Sequence, residues 1–125
     1  MREIIETGNA PAPIGPYSQA IRANGLIFVS GQIPLIPESG TVAPGDIIEQ
    51  TRQTMHNLAA ILQSAGSGLS RIVKTTVFLA DLDHFARFNQ VYEEFLGEAK
   101  PARTTVQVSR LPKGVLLEVD AIALG

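Results

Sequence analysis

Asn24-Gly25 stands between two runs in which apolar and polar residues alternate, "SQAIRA" before it and "LIFVSGQIP" after it. Both residues tolerate positive φ, which a two-residue type I′ hairpin turn requires. Such a turn fixes the register of its strands. Ala23 falls opposite Leu26, Ile21 opposite Phe28 and Gln19 opposite Ser30. This hairpin is the strongest local signal in the chain, and the rest is arranged around it.

The segment before the hairpin, "NAPAPIGPY", is rich in proline and glycine and reads as an ordered connector ending at Tyr17. After it, "PLIPESGTVAPG" is a loop or a short extra hairpin. Residues 46–65 carry a helical pattern. Asp46 is placed to cap, Glu49 follows three residues on, and Ile48, Met55, Leu58, Leu62 and Ala65 form one stripe. Gly66 suits the position just past the helix end. "RIVKTTVFLA" (71–80) is rich in β-branched residues and reads as a strand. A second helix is expected from Asp83 to Leu96, with Phe85, Phe88, Tyr92 and Phe95 on a face read as core, and Gly97 ending it. Strands over about 103–109 and 115–123 close the chain, joined by "RLPKG".

The order hairpin, helix, strand, helix, strand, strand implies an α+β domain, with two helices covering one face of a mixed sheet. The 125 residues suit a single domain, 1–125. The opposite face is less simply explained. On the last strand Val115, Leu117, Val119, Ala121 and Ala123 point one way, and Leu116, Glu118, Asp120, Ile122 and Leu124 the other. Both sets contain apolar residues. Either a subunit partner covers the second face or the sheet curls to bury it.

Composition excludes several classes. There is no cysteine, hence no disulfide framework, thiolate metal site or cysteine nucleophile. Twelve acids against ten bases, with no Lys/Arg run, disfavour a broad nucleic-acid-binding face. No window is apolar enough for a membrane span and the first residues lack a signal-peptide pattern, so a cytoplasmic location is expected. His56 and His84 lie on different expected elements with no ligand-spaced neighbour. Metal-protease, phosphate-loop, dinucleotide and nucleophile-elbow motifs are missing.

Arg103, Glu118 and small groups at the hairpin ends (Tyr17, Ser30, Gly31) are left as candidates. A guanidinium stays charged and fits a carboxylate through a planar fork. A carboxylate among apolar residues has its pKa raised by desolvation and lowered by a nearby arginine, which suits it to acid–base work where histidine is lacking. The same residues could form a salt bridge, Arg103 with Glu118 or with an aspartate, or Glu118 with Lys74, across the sheet or between subunits. Residue patterns alone leave these readings open.

Five motifs bear on the choice. "APAPIGPYSQA", "VSGQIP", "IVKTTVFLADL", "FNQVYEEF" and "PARTTVQVSRLPKG" resemble, in the same order and over nearly the whole chain, the Rid (reactive intermediate deaminase) or YjgF-like family. The resemblance implies a chorismate-mutase-like fold and a homotrimer with clefts between subunits. It also implies cofactor-free deamination of 2-iminobutanoate and 2-iminopropanoate, or their enamines, to 2-keto acids and ammonia. By position it makes Arg103 the substrate-carboxylate arginine and Glu118 the acidic residue at the water. Tyr17, Ser30, Gly31 and Asn89 become cleft residues. Thr105, where many relatives carry cysteine, would offer its backbone carbonyl to the substrate nitrogen. Non-catalytic binding of small carboxylates and ribonuclease action also attach to relatives. The acidic balance and the lack of a histidine pair argue against the second.

Overall fold

The hairpin forms in the register that the alternation requires. In the computed structural model, which describes residues 1–125, Asn24 and Gly25 take φ of 53° and 76°. They join β2 (Ala20–Ala23) to β3 (Leu26–Gln32), with Ala23 opposite Leu26 and Ile21 opposite Phe28. Gln19 lies just outside the ladder, and its carbonyl accepts the Ser30 N–H at 2.9 Å. One strand was not anticipated. Arg2–Ile5 forms β1, an edge strand antiparallel to β2. The segment 34–45 closes only an isolated Leu35–Val42 bridge.

Helix α1 (Ile47–Ser64) starts on a reciprocal capping box. The Asp46 carboxylate accepts the Ile48 N–H at 2.9 Å, and Glu49 accepts the Asp46 N–H at 2.8 Å. Gly66, with φ of 78°, follows its end. Met55, Leu58 and Leu62 are buried as the stripe implied, together with Ile47 and Ile61. The chain then forms β4 (Ile72–Leu79), a 3₁₀ turn at Leu82–His84, α2 (Phe85–Leu96), β5 (Ala102–Gln107) and β6 (Leu117–Leu124). The 3₁₀ turn uses the residues expected to start α2, and Asp81 holds it by accepting the Asp83 N–H at 2.8 Å.

The six strands make one sheet in the order β1-β2-β3-β6-β4-β5. All pairs are antiparallel except β4 with β5, which are parallel and joined through α2. β6 thus lies between β3 and β4, and β5 is the far edge. Both helices pack on one face, over Ile27, Val29, Val77, Leu79, Leu117, Val119 and Ala121, all buried. The other face carries a cross-strand row of Ile4, Ile21, Phe28 and Ile122. Ile4 and Phe28 are 60% and 43% exposed, so the chain does not curl to bury this row. No helix is long and apolar enough to cross a membrane.

Candidate active site

Glu118 projects from β6 on the open face, between the inward-pointing Leu117 and Val119. Across from it, β3 carries a bulge. Val29 pairs with Ala121 but Gln32 pairs with Val119, so β3 uses one residue more than β6. The irregularity turns Ser30 and Gly31 together toward the open side, while Val29 and Gln32 on either flank stay buried. Gly31 leaves room for the carboxyl group. A Cβ there would lie 2.8 Å from the Glu118 carboxyl carbon and closer still to Oε2. Ser30 Oγ donates to the Ser18 carbonyl at 2.6 Å.

The wall opposite is the proline-rich connector, held by one side chain. Gln19, 2% exposed, accepts the Thr7 N–H at 2.7 Å and donates to the carbonyls of Thr7 and Pro11 at 3.0 and 2.9 Å. Together these segments enclose a hollow of about 580 Å³ whose lining includes Pro11, Ile14, Tyr17, Ser30, Gly31 and Glu118. Burial pushes the Glu118 carboxyl above its ordinary range, and the negative charge of Asp120 adds to the effect.

Arg103 belongs to a different place. It sits on β5 directly beside Thr75 of β4, whose other neighbour is Ala121. Thr75 and Ala121 are buried under the helices, so Arg103 projects on the helix face. There its Nη1 donates to Asn89 Oδ1 at 2.7 Å. The guanidinium carbon lies 4.7 Å from the Tyr92 ring centre and 5.4 Å from that of Phe85. No carboxylate pairs with it. The ion pairs of the chain are Arg22–Glu3, Arg52–Glu94 and Arg87–Asp46. Asn89, Tyr92, Glu93, Lys100 and Arg103 line a second hollow of about 410 Å³. Thr105, two residues along on the same side, buries a hydroxyl that has no hydrogen-bond partner.

The site residues read from the sequence therefore fall into two groups on opposite faces of the sheet. Tyr17, Ser30, Gly31 and Glu118 form one; Asn89, Arg103 and Thr105 form the other. β4 stands between Arg103 and Glu118, and no salt bridge of Arg103 or Glu118 is among the ion pairs of the chain. Lys74 instead donates to the Thr75 carbonyl and to Thr76 Oγ1, at 2.8 and 3.1 Å.

The family described as Endoribonuclease L-PSP matches residues 7–125. The chain belongs to this family, the Rid or YjgF-like proteins. A RutC family protein of Pyrococcus horikoshii is 55% identical over 98% of each chain. The 2-iminobutanoate/2-iminopropanoate deaminase of Mus musculus is 44% identical, over 99% of this chain and 92% of its own. Among solved structures, a Rid-family protein from Yersinia pestis superposes with a TM-score of 0.97 at 45% identity, over the whole of both chains. Escherichia coli TdcF, with bound serine, gives 0.92 at 45% identity over 98% of each.

Within this Rid-family chain the aromatic stripe of α2 does two jobs. Phe88 and Tyr92 are core, as read from the sequence, and Phe95 packs against it, while Phe85 and the Tyr92 ring also flank Arg103. The signal was the spacing of Phe85, Asn89 and Tyr92, which puts them on one helical face. The Tyr92 hydroxyl also needs a partner wherever it is buried. The histidines are not brought together. His56 packs edge-on against Phe95 near the end of α2, and His84 precedes its first residue.

Proposed function

We propose that this chain is a hydrolytic deaminase of small 2-imino acids such as 2-iminobutanoate and 2-iminopropanoate, working in clefts shared between copies of itself. The observation that carries this is the separation of Arg103 from Glu118. One face offers a guanidinium with no anionic partner. The other offers a half-buried carboxyl of raised pKa beside an open hollow. A second copy, docked on the apolar row Ile4, Ile21, Phe28 and Ile122, would bring one half-site against the other. A closed ring of three repeats that contact around the assembly. The names of the mouse and goat deaminases, both 44% identical, support the substrate class. So does the serine bound to TdcF, an amino acid that shares its carboxylate-bearing carbon with a 2-imino acid.

Chemistry follows from the two groups. Arg103 takes the substrate carboxylate through its fork and fixes the orientation of C2. Glu118, ionised, accepts a proton from a water molecule while the water oxygen attacks C2. The Glu118 carboxylic acid then returns the proton to the carbinolamine nitrogen, the C–N bond breaks to release ammonia as the hydroxyl oxygen forms the C2 carbonyl, and the hydroxyl proton passes to water. A protonated imine is already electrophilic, so no covalent nucleophile is required. Acid–base help of this kind is worth about 10²–10⁴-fold. A raised pKa suits a group that must both take and return a proton.

A dehydratase that releases 2-iminobutanoate from threonine, run beside semicarbazide, tests the reading. Wild type is expected to suppress semicarbazone formation. No suppression with imines from either serine or threonine would overturn the activity and leave a carboxylate-binding protein.

A further inference from the structure

Arg103 carries the half-site on the helix face, yet no carboxylate holds it. A long side chain at the edge of a sheet has many rotamers, so its position needs another cause. The contacts close a loop. Arg103 and Thr75 are partners in the parallel β4–β5 ladder. Thr75, fully buried, shares a hydrogen bond of 2.7 Å between its Oγ1 and the Tyr92 hydroxyl. The Tyr92 ring returns to the Arg103 guanidinium at 4.7 Å. The backbone pair that sets where Arg103 begins thus also sets the height of the ring on which it ends. Phe88 backs that ring at 5.3 Å, and Asn89, one helical turn before Tyr92, takes one Nη1–H.

We infer that Tyr92, tied down by Thr75, is the positioning residue for Arg103 and through it sets the affinity for the substrate carboxylate. An aromatic face suits this task better than an acid would. It attracts the cation and orients its plane without neutralising it, so the charge stays available for the ligand. A Glu in its place would form the ion pair that the substrate must form. Tyr92 itself touches no reacting atom in this scheme. The inference rests on Arg103 being the carboxylate anchor.

The test measures binding of 2-oxobutanoate, a stable 2-keto acid, by calorimetry, alongside KM and kcat in the coupled assay. Tyr92→Leu removes the platform and is expected to raise Kd and KM about tenfold with kcat within about twofold. Tyr92→Phe and Thr75→Val keep the packing and break only the hydroxyl pair. Each is expected to raise KM about threefold, the double variant no further than either single, and Thr75→Ser to restore the wild-type value. Unchanged Kd and KM in folded Tyr92→Phe and Thr75→Val, or additive effects in the double variant, would overturn the inference. Arg103→Ala separates it from the reading beneath. If Arg103→Ala abolishes 2-oxobutanoate binding while the Tyr92 variants bind normally, only the role of Tyr92 falls. If Arg103→Ala binds as tightly as wild type, the anchor falls and the role of Tyr92 with it.

Discussion

Gly31 and Glu118 share one space across the β3–β6 ladder. The bulge turns Gly31 toward the carboxyl group, and the volume a Cβ would fill is taken by the end of the Glu118 side chain. The atoms in conflict are the flexible end of a side chain, not backbone. Gly31→Ala should therefore displace the carboxylate at small cost in stability, within about 1 kcal/mol. In the proposed reaction the displaced group no longer faces the attacking water, and kcat is expected to fall by about 10²-fold. Denaturant melts together with imine turnover check this. A loss of stability without a loss of rate would reverse the argument.

The raised pKa of Glu118 predicts two pH effects. Asp120 contributes to the shift, so Asp120→Asn, which keeps an acceptor for the Thr76 N–H, should move the acidic limb of the kcat/KM profile to lower pH. The second concerns stability. A carboxyl whose folded-state pKa lies above its unfolded value stabilises the fold fully below the unfolded value, and that contribution is lost as pH rises through the folded one. Glu118→Gln should therefore melt higher than wild type at pH 8, with the gap closing by about pH 4. Thermal melts at both pH values check the sign.

Gln19 holds the connector that forms the far wall of the Glu118 hollow. Gln19→Leu keeps the volume and leaves the Thr7 N–H and the carbonyls of Thr7 and Pro11 without their partner. The expected loss is about 1–3 kcal/mol. Limited proteolysis should show new cleavage within residues 7–17, and KM should rise as Tyr17 loses its support. Unchanged cleavage would mean that the prolines hold the connector by themselves.

What could be read from the sequence was local. Asn24-Gly25 states its own turn, Asp46 and Glu49 their own cap, and the alternation along 115–124 its own two faces. What could not be read depends on partners distant in the chain. "REII" has only Ile5 buried, and it becomes a strand because β2 offers an edge. The bulge at Ser30 and Gly31 is defined only by where β6 pairs. The face on which Arg103 projects follows from its parallel pairing with Thr75, whereas alternation within 103–107 shows two faces without saying which lies under the helices. For this reason Arg103 and Glu118 read as one site, while a single chain holds them apart. Tyr92 is core as its place in the stripe implied, but its tie to Thr75 spans two elements and could not be read.

The most direct test of the account mixes two inactive variants. In the proposed reaction Arg103→Ala removes the anchor and Glu118→Gln the base, and each alone is expected to leave imine trapping unsuppressed. If every cleft takes Arg103 from one copy and Glu118 from another, unfolding and refolding the two variants together at equal ratio should restore about one quarter of wild-type activity, because random assembly gives that share of clefts both native residues. Activity that stays at the level of the separate variants, in assemblies shown by mass to be mixed, would contradict a site shared between copies.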